Sequence, residues 1–212
     1  MPCIYVLAGT NGAGKSSVGG AMFRQIGADY FNPDEAARSV MIANPALTQT
    51  QANAIGWHQG KRLLERAIRE RLDFAFETTL GGKTMVGLLE KALQDGLEVR
   101  IWYAGLSSPE LHVARVKARV VKGGHPIPDA DVYRRYEASR LNLVRLLPAL
   151  TELRVFDNSR QADPGTGASP APTLLLHMKQ GRIINLGDLH RIPQWAKPIV
   201  AVALKSVRPR KG

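Results

Sequence analysis

Cys3-Ile4-Tyr5-Val6-Leu7-Ala8, followed directly by Gly9-Thr10-Asn11-Gly12-Ala13-Gly14-Lys15-Ser16, decides the fold. The first six residues are apolar, with β-branched and aromatic side chains, and read as a strand buried on both faces of a parallel sheet. The next eight match G-x-x-x-x-G-K-[ST], and their place between a buried strand and an expected helix is where that loop works. Glycines let the backbone fold back so that successive N–H groups surround a phosphate at a helix N-terminus. A lysine at position 15 then reaches the β/γ oxygens, and a hydroxyl at position 16 ligates Mg²⁺. Gly9, Asn11, Gly12, Ala13, Gly14, Lys15, Ser16 and Ser17 are therefore the candidate nucleotide-binding residues, for ATP or GTP, with Ser16 the candidate metal ligand and Mg²⁺ the expected ion.

Working outward, short apolar runs at Tyr30-Phe31, Phe74 to Phe76, Leu97 to Tyr103 and Leu153 to Phe156 alternate with helical patterns. Gln59 to Leu72, with Leu63, Leu64, Ala67 and Ile68 on one stripe, is the clearest helix. This predicts an α/β, P-loop NTPase fold with a doubly wound, mostly parallel sheet. Thr173 to Met178 and Arg182 to Leu186, around Lys179-Gln180-Gly181, predict a small C-terminal β-hairpin. The expected organisation is a core over 1–160 with a lid at about 108–147, a flexible loop over 161–172 (DPGTGASPAP from Asp163), and a hairpin with a basic tail over 173–212 on the same domain.

At 212 residues, with 44% hydrophobic and 22% charged residues, the chain has the composition of one globular domain. Cys3, the single cysteine, excludes an internal disulfide, and no His/Cys cluster has zinc-ligand spacing. Met1-Pro2-Cys3-Ile4 lacks the basic and apolar regions of an export signal, and no apolar run is long enough for a membrane span, so no membrane partner and a cytoplasmic location are expected. The formal charge of +11 points to an anionic partner without choosing among polyphosphates, nucleic acids, acidic proteins or a merely solubilising surface.

No apolar run ending in Asp follows the loop as a second metal-binding strand, and no transporter signature is present. That pattern suits a small kinase better than a mechanical motor. A kinase needs a carboxylate near the acceptor hydroxyl. Asp34, in Phe31-Asn32-Pro33-Asp34-Glu35, falls at the carboxyl edge of the second strand, although Asp34 and Glu35 could instead only complement a helix dipole. Arg38 lies one turn further on as a substrate candidate. Phe74-Ala75-Phe76-Glu77-Thr78-Thr79 is a third strand ending in a carboxylate and two hydroxyls, so Glu77, Thr78 and Thr79 are substrate candidates, with capping by the threonines the alternative.

Arg115, Lys117 and Arg119 precede the helix break Gly123-Gly124-His125-Pro126, and Arg134-Arg135 follow it, which reads as an arginine-rich helical hairpin folded over the site as a lid. Arg115 and Arg119, four apart, share one helix face and can converge on a polyphosphate; a solvated basic face is the alternative. His125 reads as a turn residue. Asn158, in Asp157-Asn158-Ser159 at the end of the last parallel strand, is a candidate neighbour of the adenine, with a simple turn equally open. Trp57 and His58 read as core residues, with a place in the substrate pocket as the second reading.

GTNGAGKSS, FNPDE, FAFETTLGGK, LSSPELHVARVKARVVKGGH, RRYEASRLNL and FDNS together make the chain resemble the zeta-toxin family of P-loop kinases from about Ile4 to Ser159. The resemblance implies transfer of the γ-phosphoryl group of ATP to a hydroxyl of a nucleotide-sugar such as UDP-N-acetylglucosamine. It makes Lys15, Asp34, Arg119 and Arg134 (or Arg135) the catalytic set, Asp34 being the general base, and it places Glu77 and Thr79 in the acceptor site. It also implies a separate antitoxin protein as partner. Glu-Thr-Thr stands where the better-known plasmid toxins have Glu-Gly-Thr, and a related effector kinase phosphorylates NAD, so a nucleotide-sugar and a dinucleotide are both expected acceptors. A polynucleotide kinase and an ATP-dependent switch for a protein partner are the other classes; 6% aromatic residues and no RNA-binding motif argue against nucleic acid as a partner.

Overall fold

A computed structural model describes residues 1–20, 29–160 and 170–207. Most of the helix expected after the phosphate loop, most of the expected loop 161–172 and the end of the basic tail lie outside the described residues.

The strands are β1 (Cys3–Ala8), β2 (Asp29–Phe31), β3 (Phe74–Thr78), β4 (Glu98–Gly105), β5 (Glu152–Asp157), β6 (Thr173–Lys179) and β7 (Arg182–Leu186). They form one seven-stranded sheet in the order β2-β3-β1-β4-β5-β6-β7. The five strands from β2 to β5 are parallel, and β6 and β7 add an antiparallel hairpin beside β5. The doubly wound, mostly parallel sheet is thus the one expected. After β1 the chain skips outward to β2, returns to β3, and then crosses to β4 on the other side. The carboxyl ends of β1, β3 and β4 therefore flank the point where doubly wound sheets bind ligands.

Side-chain alternation explains why β1 is central. Ile4, Val6 and Ala8 enter the large core, while Leu7, with Tyr5, packs on the opposite face against Ala75 and Trp102. Ile4, Val6 and Leu7 are 0% exposed, each contributing roughly 2 kcal/mol of burial.

Around the sheet run helices α1 (Pro33–Ala43), α2 (Gln49–Glu70), α3 (Lys83–Gln94), α4 (Pro109–Val121), α5 (Asp129–Leu146) and α6 (Lys197–Lys205). The helix expected over Gln59 to Leu72 starts earlier, at Gln49, because Thr48 and Gln51 form a capping box that the apolar stripe does not reveal. Leu64, Ala67 and Ile68 of α2, Met85, Val86 and Leu89 of α3, and Leu143 and Leu146 of α5 fill the main core.

The helical hairpin between Pro109 and Leu150 is present as α4 and α5. Val113 and Val116 of α4 meet Val132 of α5, with Ile127 packed against them, in a small core separate from the main one. The apolar run Ile199 to Leu204, too short for a membrane span, belongs to α6. Its Ile199, Val200 and Ala203 join Trp195 in the main core. Among the described residues, no helix is long and apolar enough to cross a membrane, and no group of three His, Cys, Asp or Glu side chains is placed to hold a metal.

Candidate active site

The phosphate loop follows β1 and leads into a helical segment, Ser16–Gly20. Gly12 and Gly14 have φ of +82° and +74°, a region L side chains rarely adopt. A Cβ on Gly12 would lie 2.6 Å from the His112 carbonyl oxygen, and one on Gly14 would lie 2.3 Å from Asn158 Nδ2. The back of the loop is therefore packed against α4 and the end of β5, and its Asn11 and Lys15 line a cleft. The Lys15 ammonium donates to the Gly9 carbonyl at 3.1 Å, which keeps it folded over the loop. These residues fit a nucleotide phosphate.

Three side chains behind the loop fix its shape. His112 is buried, and its Nδ1–H donates to the Asn11 carbonyl at 2.8 Å. Burial, with the charge of Lys15 opposing a second cation, pushes the His112 imidazole down to about 4, so it is neutral at physiological pH. Asn158 Nδ2 donates to the Ala13 carbonyl at 2.9 Å. The amide thus shapes the phosphate loop, a role the adenine reading did not include. Arg135 Nη1 donates to Asn11 Oδ1 at 2.8 Å, so both oxygens of Asn11 are engaged by the protein.

On the acceptor side, Asn32 caps α1, its Oδ1 accepting from the N–H groups of Asp34 at 2.9 Å and Glu35 at 3.4 Å. Pro33 occupies the first helical turn. This cap sets Asp34 at the rim of a cleft of about 930 Å³ that it shares with Asn11 and Lys15. Glu77, Thr78 and Thr79 line the same cleft. Tyr30 OH donates to Glu77 Oε1, orienting the carboxylate from the neighbouring strand. Thr78 Oγ1 and Thr79 Oγ1 accept from the N–H groups of Leu80 and Gly81, at 3.0 and 3.4 Å. They cap the turn after β3 while also facing the cleft; α3 itself has no side-chain cap. Leu80 sits at φ 55° in that turn, buried, with its carbonyl held by Asn142 Nδ2 at 2.8 Å. A strained left-handed leucine held from two sides keeps the three polar residues at the cleft.

The hairpin α4–α5 covers the cleft. Arg119 Nη1 lies 3.8 Å from Asp34 Oδ2, and His125 Nε2 lies 4.0 Å from Asp34 Oδ1. His125 therefore faces the carboxylate as well as shaping the turn. Arg119 Nε is buried with no hydrogen-bond partner among the described residues, a donor awaiting an acceptor. Arg115 does not converge with Arg119: its Nη2 donates to the Arg160 carbonyl at 3.0 Å, towards the end of β5. Arg134 and Arg135 both line the cleft, but Arg135 is the one that touches the phosphate loop. Arg134 pairs with Asp131 at 2.8 Å and is 63% exposed. The register follows from α5, whose buried stripe Val132, Tyr136, Ser139, Leu143 turns Arg135 towards the loop. Arg38 is exposed on α1 and is not among the residues lining the cleft.

The core reading of Trp57 needs correction. Its indole is 37% exposed and lines the cleft, because the buried stripe of α2 runs through Gly56 and Gly60 and turns position 57 outward. His58 meets the ring edge-on, 4.9 Å between centroids, and is exposed too.

The zeta toxin family model matches residues 1–163. The chain belongs to the zeta toxin family. It is accordingly an ATP-dependent kinase. An uncharacterized protein of Haemophilus influenzae is 34% identical over 131 residues, covering 60% of this chain and 88% of that relative. Among solved structures, the AvrRxo1-ORF1:AvrRxo1-ORF2 complex with ATP contains a chain that superposes with a TM-score of 0.65 at 15% identity, over 100% of this chain and 66% of that one. A chain of the PezAT chromosomal toxin–antitoxin system of Streptococcus pneumoniae gives a TM-score of 0.56 at 12% identity, over 97% of this chain and 86% of that one. At those identities the structural likeness speaks for the fold.

Tyr30, His112 and Arg135's contact with Asn11 had no sequence signal of their own as site residues. Each acts on a motif residue from a distant element, and the only available clue was that the motif loops need partners.

Proposed function

We propose that this zeta toxin family kinase transfers the γ-phosphoryl group of ATP to a hydroxyl of a nucleotide-sugar or a dinucleotide. The observation that carries the reading is one cleft joining Lys15 and the phosphate loop to Asp34, Glu77, Thr78 and Thr79. Lys15 and the loop N–H groups hold the polyphosphate, and Ser16 Oγ is the side chain that would hold Mg²⁺. When bound there, Mg²⁺ would supply charge neutralisation to the polyphosphate. Asp34 accepts the proton of the acceptor hydroxyl as that oxygen bonds to the γ-phosphorus and the bond from phosphorus to the departing ADP oxygen breaks. Glu77, held by Tyr30, and Thr79 fix the acceptor. Arg119, whose Nε lacks a partner among the described residues, turns from Asp34 to the transferring phosphoryl group, with Arg135 beside it at the loop.

A separate antitoxin protein is proposed as a partner because a structural neighbour comes from a toxin–antitoxin system. Incubation with ATP, Mg²⁺ and a panel of UDP-sugars, NAD and oligonucleotides, read by mass spectrometry, tests the reading. A UDP-sugar or NAD heavier by one phosphoryl group supports it; phosphorylation of the oligonucleotide alone refutes it.

A further inference from the structure

The acceptor cleft extends well past Asp34 and Glu77, along the first two turns of α2. Gln49, Thr50, Asn53, Ala54 and Trp57 line it there, at spacings that place them on one stripe of the helix. Two features of this wall are unusual. Trp57 presents an aromatic surface to the cleft and is 37% exposed, whereas Trp102 and Trp195 are 8% and 2% exposed. Beside it, Gln49 Nε2 donates to Asn53 Oδ1 at 2.9 Å. That bond leaves the Gln49 amide oxygen and the Asn53 amide nitrogen without a partner among the described residues, and flipping both amides leaves the Gln49 nitrogen and the Asn53 oxygen instead. Facing the same space from the lid are the rigid apolar rings and side chain of Pro126, Ile127 and Pro128.

A flat aromatic face beside an adjacent donor and acceptor complements a heteroaromatic ring that carries its own acceptor and donor on one edge. A sugar ring can also lay its C–H face on an indole, but it has no flat edge carrying an adjacent acceptor and donor to match the amide pair, and the rigid apolar Pro126, Ile127 and Pro128 suit a flat ring face. We infer that Trp57, Gln49 and Asn53 form a nucleobase subsite of the acceptor cleft: the base stacks on the indole and is read by the amide pair, so that the acceptor is recognised through its nucleoside end as well as at its reacting hydroxyl. The inference rests on the acceptor reading above, which it deepens by naming the part of the acceptor that is bound.

Trp57 is its own reporter, as the most exposed of the three tryptophans. With the phosphate loop filled by ADP and Mg²⁺, the full-length protein is titrated with uridine, adenosine and N-acetylglucosamine while tryptophan fluorescence is followed. Saturable quenching by at least one nucleoside, and not by the free sugar, is expected. Gln49→Ala with Asn53→Ala, which keeps the fluorophore, should raise the half-saturation concentration about tenfold. Trp57→Leu should raise the KM of whichever nucleotide acceptor is phosphorylated by about tenfold with the KM for ATP unchanged. Absence of nucleoside quenching, quenching by N-acetylglucosamine alone, or quenching unaffected by the double substitution would overturn the subsite. Nucleoside binding with no phosphoryl transfer to any nucleotide-sugar or dinucleotide would instead sink the acceptor reading and leave the subsite standing.

Discussion

Arg119 Nη1 reaches to 3.8 Å from Asp34 Oδ2, so the lid and the acceptor side of the cleft meet through one cation and one carboxylate. Both groups are partly exposed, and the contact is worth little as a source of stability. Its interest is positional, because it joins the two groups proposed above to stabilise the transferring phosphoryl group and to take the acceptor's proton.

Substituting either partner should therefore damage turnover far more than nucleotide binding. Asp34→Ala is expected to lower phosphoryl transfer about 10³-fold and Arg119→Ala about 10²-fold, with ATP affinity within a few-fold of the parent. Steady-state kinetics beside calorimetric ATP titration would decide this; undiminished turnover in Asp34→Ala would remove that carboxylate from the reaction.

Tyr30→Phe deletes the hydroxyl that orients Glu77 while keeping the ring packed on the small apolar cluster that includes Ala75 of the neighbouring strand. The expected result is an acceptor KM raised about fivefold, corresponding to about 1 kcal/mol, with the KM for ATP unchanged. An equal effect on both KM values would show a general loosening of the sheet edge.

Asn158→Ala leaves the Ala13 carbonyl without its buried partner and opens space behind Gly14. ATP affinity should fall about tenfold through a less ordered phosphate loop, and the folded state should lose about 1–2 kcal/mol. Binding calorimetry and denaturant titration of the same variant separate the two effects.

His112 makes stability depend on pH. Its imidazole titrates near 6.5 when unfolded and is held down to about 4 by burial in the native state. The unfolded chain therefore binds the proton first, and the stability this histidine provides is complete above 6.5 and lost as pH falls towards 4. By pH 5 the loss is about 2 kcal/mol. Denaturant midpoints measured at pH 7 and pH 5 should show it, and His112→Gln should flatten the difference while lowering stability at pH 7.

Much of this site could be read before any coordinates because its parts are local in sequence. The phosphate loop, the Asn32 cap that places Asp34, and the polar end of β3 are each confined to a few consecutive residues, where glycine, proline and carboxylate spacing carry the signal. The partners that hold those parts in place are 47 residues away for Tyr30 and Glu77, 101 for His112 and Asn11, and 145 for Asn158 and Ala13. Such contacts leave no trace in periodicity. Trp57 misled for a different reason: α2 buries glycines at 56 and 60 against α1 and Phe31, so its packed face is the one with the smallest side chains, and the large aromatic residue is left outside.

Past the family match, which stops at residue 163, the chain does more than trail away. Trp195 packs so tightly on Gly105 that a Cβ there would meet its ring at 2.3 Å. Its Nε1 donates to Asp157 Oδ1 at 3.2 Å, directly before the Asn158 that holds the phosphate loop. The C-terminal segment also contributes Ile192, Ala196, Ile199, Val200 and Ala203 to the main core, and β6 covers the flank of β5 along its length. A protein cut back to residue 163 would expose β5 as a bare strand edge and leave a hole where Trp195 sits. The stretch that the family model matches is thus shorter than the stretch that packs as one core, and any shortened version of the protein should keep the residues through Lys205.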